Sequence, residues 1–137
     1  MLTNRASRQR HKSIVAFTLV EIMIVVAIIA LLASIAVPGF TRARKRAQAT
    51  RVLNDLRLID AALDLYAIET NKSSGMNPVW SDLRSYLKKN SLLYNTGVDV
   101  LGNTYGPFTV DKLPSVPSAS KTAFSDVVDP SFWSPYQ

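Results

Sequence analysis

The sequence predicts an α+β protein: one long N-terminal α-helix, its first half transmembrane, packed on a small head with a short antiparallel sheet. Three observations carry that expectation. Residues Phe17 to Val37 form an apolar run with one ionisable side chain, Glu21. From Val52 to Tyr66, apolar residues recur at alternating spacings of four and three, the period of a helix with one buried face. From Asn95 that period is lost and turn dipeptides take over: Thr96-Gly97, Gly102-Asn103 and Gly106-Pro107.

Residues 1–16 are short, polar and basic, with Arg5, Arg8, Arg10 and Lys12, and read as the n-region of a targeting segment. The apolar run that follows, residues 17–37, is long enough as a helix to cross roughly 30 Å of hydrocarbon at about 1.5 Å per residue. A carboxylate there costs on the order of 3 kcal/mol on insertion scales, so Glu21 is expected to have a function. The plainer alternative is that it snorkels to the headgroups from near the helix end. Ala27, Ala30, Ala33 and Ser34 suit close helix packing. Ser34-Ile35-Ala36 also resembles a small-x-small site for ordinary signal peptidase, which would release a secreted binding domain from Val37. The length of the apolar run and the interruption at Glu21 speak against that reading.

Arg42, Arg44, Lys45, Arg46 and Arg51 follow the run, so bases nearly balance across it and charge alone does not set an orientation. The net charge of +6 belongs to these flanks. It does not imply a nucleic-acid partner, because basic and aromatic residues do not interleave. The collar 42–46 is suited to acidic headgroups or to a neighbour's acids, and equally to plain solvation. With no cysteine and the single histidine at His11, thiol and serine–histidine catalysis lose their main residues. No enzyme activity is expected.

Pro38-Gly39 should kink or locally melt the helix without ending it. Residues 38–70 then form its amphipathic half. Val52, Leu56, Ile59, Leu63 and Tyr66 make the stripe, and Leu58, Ala62 and Leu65 widen it. The end is expected near Ile68, with Asn71 to Gly75 as the stop. The head, residues 71–137, should open with a second short helix, Asn77 as N-cap and Pro78 at its first position. Trp80, Leu83, Tyr86 and Leu87 form its apolar face, and Asn90 its stop. Val98 to Leu101 and Phe108 to Val110 read as short strands. The stretch PSVPSASK reads as an extended loop, and Phe132, Trp133 and Tyr136 as aromatics that dock the tail.

Two stretches carry a resemblance. Ala16-Phe17-Thr18-Leu19-Val20-Glu21 resembles the processing motif of type IV pilins and type II secretion pseudopilins, and the likeness extends through Pro38 to Phe40. It implies a pilin-like fold and cleavage by prepilin peptidase between Ala16 and Phe17, followed by N-methylation of Phe17. Glu21 then becomes the fifth residue of the mature chain. The position before the cut, glycine in the family, is Ala16 here. The new amine on Phe17, with an ordinary pKa near 8, is mostly charged at neutral pH and can pair with Glu21 of a neighbouring subunit. Further on, Asp99-Val100-Leu101-Gly102-Asn103-Thr104-Tyr105 is similar to D-P-W-G-N-P-Y of the major, G-type pseudopilins at Asp99, Gly102, Asn103 and Tyr105.

The resemblance implies a structural subunit that self-assembles into a helical filament driving protein export. A type IV pilus subunit for adhesion, motility or DNA uptake shares the same N-terminal logic. Implied partners are the prepilin peptidase, an inner-membrane secretion or pilus platform and minor pseudopilins. The implied location is the bacterial inner membrane, single-pass, with a cytoplasmic N-terminus and a periplasmic head. A structural calcium is the one cofactor the likeness suggests. Its candidate ligands here are Asp126 and Asp129, with Ser125 as a helper. Read without the likeness, these acids are exposed loop carboxylates.

Overall fold

The computed structural model describes residues 17–137. Its contacts divide into two units at Pro38–Gly39. Helix α1, Leu19–Thr70, is common to both. It continues through Pro38, and the helical run extends a little beyond the expected end. Asn71, at φ 51°, turns the chain out of it, as asparagine does at such positions.

In the first unit, every described residue of the apolar run is exposed, Leu19 and Ile35 to 74% each. A helix apolar all round belongs in lipid or among other helices, and α1 is long and apolar enough to cross a membrane.

In the second unit, α1 buries one face. Ala49, Val52, Leu53, Leu56, Ile59, Ala62 and Leu63 point into the core, and Tyr66 packs at its margin. Leu58 and Leu65, read from the sequence as part of this face, stay about half exposed. The buried stripe is narrower than the apolar one because the small head covers only part of the helix. Helix α2, Trp80–Leu83, continues as a 3-10 turn over Arg84–Tyr86. It starts later than expected. Its cap is Val79, whose N–H donates to Asp82 Oδ2 at 3.1 Å, while Asn77 Oδ1 accepts from Thr109 Oγ1 at 2.9 Å. Asn90, the expected stop, does take a positive φ of 63°.

Helix α3, Leu92–Thr96, is capped by Ser91, whose hydroxyl accepts from the Tyr94 N–H. It ends on Gly97 at φ 63°. A Cβ there would stand 2.8 Å from the Trp80 ring, so both backbone and packing demand glycine. Helix α4, Ser118–Ala123, lies where a loop was expected. Pro117 fits just before its first turn, and Ser120 is fully buried.

In the expected strand regions, the chain makes one isolated antiparallel bridge, Val98 with Thr104. Val110 bonds to the segment that opens the head: its N–H donates to Met76 O at 2.8 Å and its carbonyl accepts from Gly75 N at 3.2 Å. No longer ladder forms among the described residues. The tail docks as expected: Trp133 is buried against Phe124 and Phe132, and Val116 N donates to Tyr136 O at 3.1 Å.

Candidate assembly and processing site

The start of α1 is a closed hydrogen-bonded loop. The Thr18 N–H donates to Glu21 Oε2 at 2.8 Å, and Thr18 Oγ1 donates to the same oxygen at 2.9 Å. In return, the Glu21 N–H donates to Thr18 Oγ1 at 3.2 Å. Thr18 is thus the N-cap and Glu21 the third helical residue of a capping box, T-x-x-E. The spacing was legible in the sequence and the sequence reading missed it. It supplies a structural role for Glu21 within its own chain: the carboxylate satisfies an orphan donor and faces the positive end of the helix dipole.

Leu19 and Val20, between the two, are exposed apolar residues, as is Phe17 at 77%. Pro38 is inside α1. Ala16 and the rest of the expected leader lie outside the described residues. The expected cut site therefore has a described carboxyl-terminal half only: Phe17, then a capped helix start whose apolar run, residues 19–37, has Glu21 as its single acid.

The second motif, 99–105, is a folded loop joined to two helices. Asp99 is 2% exposed. Its Oδ1 accepts from Leu101 N at 2.8 Å and Asn103 N at 2.9 Å, and its Oδ2 accepts from the Ser120 hydroxyl of α4. Asn103 Nδ2 also donates to Ser120 Oγ at 2.8 Å. Gly102, at φ 86°, allows the reversal between these donors. Tyr105 OH donates to Asp55 Oδ2 on α1 at 3.1 Å. Burial pushes the Asp55 carboxyl above its ordinary pKa, against the lowering effects of Tyr105 and Arg51. Burial, with the Asp55 charge next, also raises the Tyr105 phenol. The four positions that match the pseudopilin stretch are thus those that bend the loop and fasten it. Ser120 completes the lock and was missed, since no local spacing announces it.

At the tail, Tyr136 OH donates to Asp60 Oδ2 at 3.2 Å. Lys45 Nζ meets Asp126 Oδ2 at 2.8 Å, and that contact, with Arg42 nearby, holds the Asp126 carboxyl below its usual range. Asp129 stands exposed before the 3-10 turn Pro130–Trp133. The Ser125 hydroxyl donates to Thr122 O at 2.8 Å. Asp126 and Asp129 are not joined by a third acid: no group of three or more metal-ligating side chains occurs among the described residues.

An all-apolar helix start with one capped acid, continued by an amphipathic half packed on a small head, is consistent with a pilin-like chain and fits a single-pass membrane protein. The comparisons with known proteins give the branch. The chain is 31% identical over 114 residues to the type II secretion system core protein G of Pseudomonas aeruginosa, covering 71% of this chain and 80% of the relative. It belongs to the type II secretion system core protein G family. It is also 38% identical over 56 residues to the protein of that name from Klebsiella pneumoniae, covering 41% of this chain and 40% of the relative. With the type IV major alpha-pilin of Moraxella bovis it shares 40% identity over 74 residues, covering 54% of this chain and 43% of the pilin. The chain spans about two fifths of the length of several of these curated relatives. No family model matches the chain, and no solved structure matches it.

Proposed function

We propose that this chain is a pseudopilin, a non-enzymatic structural subunit of a type II secretion filament that drives protein export. Before assembly, α1 anchors it in the bacterial inner membrane with the N-terminus cytoplasmic and the head periplasmic. A prepilin peptidase cuts between Ala16 and Phe17 and methylates the new amine. The apolar half then exchanges lipid for the same helix of neighbouring subunits on an inner-membrane platform, beside minor pseudopilins. Thr18, Leu19, Val20 and Pro38 shape the packing surface. The antiparallel pairing expected of such a head has one seed, the bridge between Val98 and Thr104.

The observation that carries this reading is Glu21: the single carboxylate in the apolar run of α1, residues 19–37, which is exposed throughout. Within one chain its partner is Thr18. In a filament, the charged amine of a neighbour's Phe17 supplies the opposite charge that a carboxylate taken out of water needs. Substitution separates capping from pairing. Glutamine also serves at the third position of a capping box, so Glu21→Gln keeps the helix start and loses the charge. The expected result is normal membrane insertion with filament yield reduced at least tenfold, measured by shearing and immunoblotting. Wild-type yield from Glu21→Gln and from Glu21→Val would refute the pairing.

A type IV pilus subunit is the second reading, favoured by the 40% identity to the Moraxella bovis pilin. The secretion reading is preferred because the Pseudomonas match covers 71% of the chain. A stretch that long takes in head residues whichever end it starts from. The lock at Asp99, Gly102, Asn103 and Tyr105 supports the same choice.

A further inference from the structure

We propose that Lys45 is a built-in cation for the C-terminal segment: its ammonium holds Asp126 against helix α1, and the head keeps that segment in place without bound calcium. The proposal does not depend on which filament the subunit joins.

The argument starts from what a calcium ion requires. It takes six to eight oxygen ligands, carboxylates foremost. Most side-chain oxygens around residues 124–136 already have partners. Asp126 Oδ2 is 2.8 Å from Lys45 Nζ. Asp60 receives the Tyr136 hydroxyl, and Asp99 receives three donors while it lies buried. The Ser125 hydroxyl points to Thr122 O. Asp129 is left as an exposed acid, and one carboxylate does not make a calcium site.

Charge acts in the same direction. The hollow beside Asp126 is lined by Arg42, Ala43, Arg46 and Val127. Arg42, Lys45 and Arg46 share one face of α1 at spacings of three and four. A dication arriving here would meet two guanidinium groups as well as the ammonium, with one carboxylate to offset them. The donor set therefore fits a monovalent side-chain cation already tethered to the fold.

The position of the pair gives it a task. Lys45 lies one turn before Ala49, where the buried face of α1 begins. Asp126 follows Phe124, which is 1% exposed and leads to buried Trp133. Closing the pair sets the segment between α4 and the last 3-10 turn on the start of that face. Lys45 then works within its own chain, and the collar offered to headgroups or neighbours is reduced to the arginines.

The test is hydrogen–deuterium exchange of the full-length chain in detergent micelles, read on peptides covering 124–137. The wild type should exchange at the same rate in excess calcium and in excess chelator. Lys45→Met and Asp126→Asn should each exchange about two- to fivefold faster, the scale of an exposed ion pair, and the double variant no faster than either. Exchange slowed tenfold or more by calcium in the wild type would overturn the proposal in favour of a structural ion at Asp126 and Asp129. Wild-type rates in both single variants would overturn it as well.

Discussion

Residues 19–37 and 49–63 belong to one helix and keep opposite company. The first stretch is apolar on every side and exposed throughout. The second is apolar along one stripe, and that stripe is buried. The difference teaches how a single α-helix serves two environments. Where every face is apolar, no small head can cover it, and the partner must be lipid or other helices. Where apolar residues recur every three or four positions, one compact layer suffices.

The largest expected effect breaks this contrast directly. Leu56 is fully buried, so Leu56→Ala leaves a cavity and should cost about 2–5 kcal/mol of head stability. Ile29, 59% exposed, carries the same class of side chain on the other half. Ile29→Ala should leave the unfolding midpoint of the head unchanged. Both are measured by denaturant unfolding of the full chain in micelles, followed by tryptophan emission. Equal losses from the two variants would mean that the halves do not differ as described.

The polar lock comes next. The apolar half has no counterpart to Asp99, a buried carboxylate that satisfies three donors. Asp99→Ala orphans the N–H groups of Leu101 and Asn103 and the Ser120 hydroxyl, and should cost about 2–3 kcal/mol. Asp99→Asn retains an acceptor for the two N–H groups and should cost less. The midpoint should move at constant slope against denaturant. Asp99→Ala behaving as wild type would show that the loop stands without its lock.

Much of this was readable from residues alone, and the failures have causes. Long periodicity revealed α1, because nearly every turn from Val52 to Tyr66 repeats the pattern. Width was misjudged at Leu58 and Leu65, since an apolar stripe says where burial is permitted and not how much surface a small head covers. Proline and serine punctuate the stretch around Ser118, a pattern that predicts a loop. Those same residues, Pro117 before the helix and Ser120 inside it, start α4 and close the lock. Short helices such as α3 and α4 depend on tertiary contacts more than on propensity, so local sequence announces them weakly. The capping box at Thr18 and Glu21 was in plain view, obscured by the more unusual feature of an acid in an apolar run.

The smallest effect sharpens the comparison at the helix ends, where each half carries a glutamate. Glu21 lies in the first turn of α1, where the dipole favours an anion, and Glu69 in the last, where it does not. Glu69 instead lies by Tyr86, and its carboxylate, ahead of burial, pushes the Tyr86 pKa up to about 12. A phenol whose folded pKa is raised contributes stability that is complete below the unfolded value near 10 and is lost as pH climbs through about 12. Glu69→Gln removes the charge, so the Tyr86 titration, followed by phenolate absorbance, should fall from about 12 back toward 10. Filament yield should stay at the wild-type level. Glu21→Gln should do the reverse, sparing the phenolate titration and reducing assembly. If Glu69→Gln impaired assembly as strongly as Glu21→Gln, the two ends of α1 would share one role, and the division between a packing half and a head-bearing half would fail.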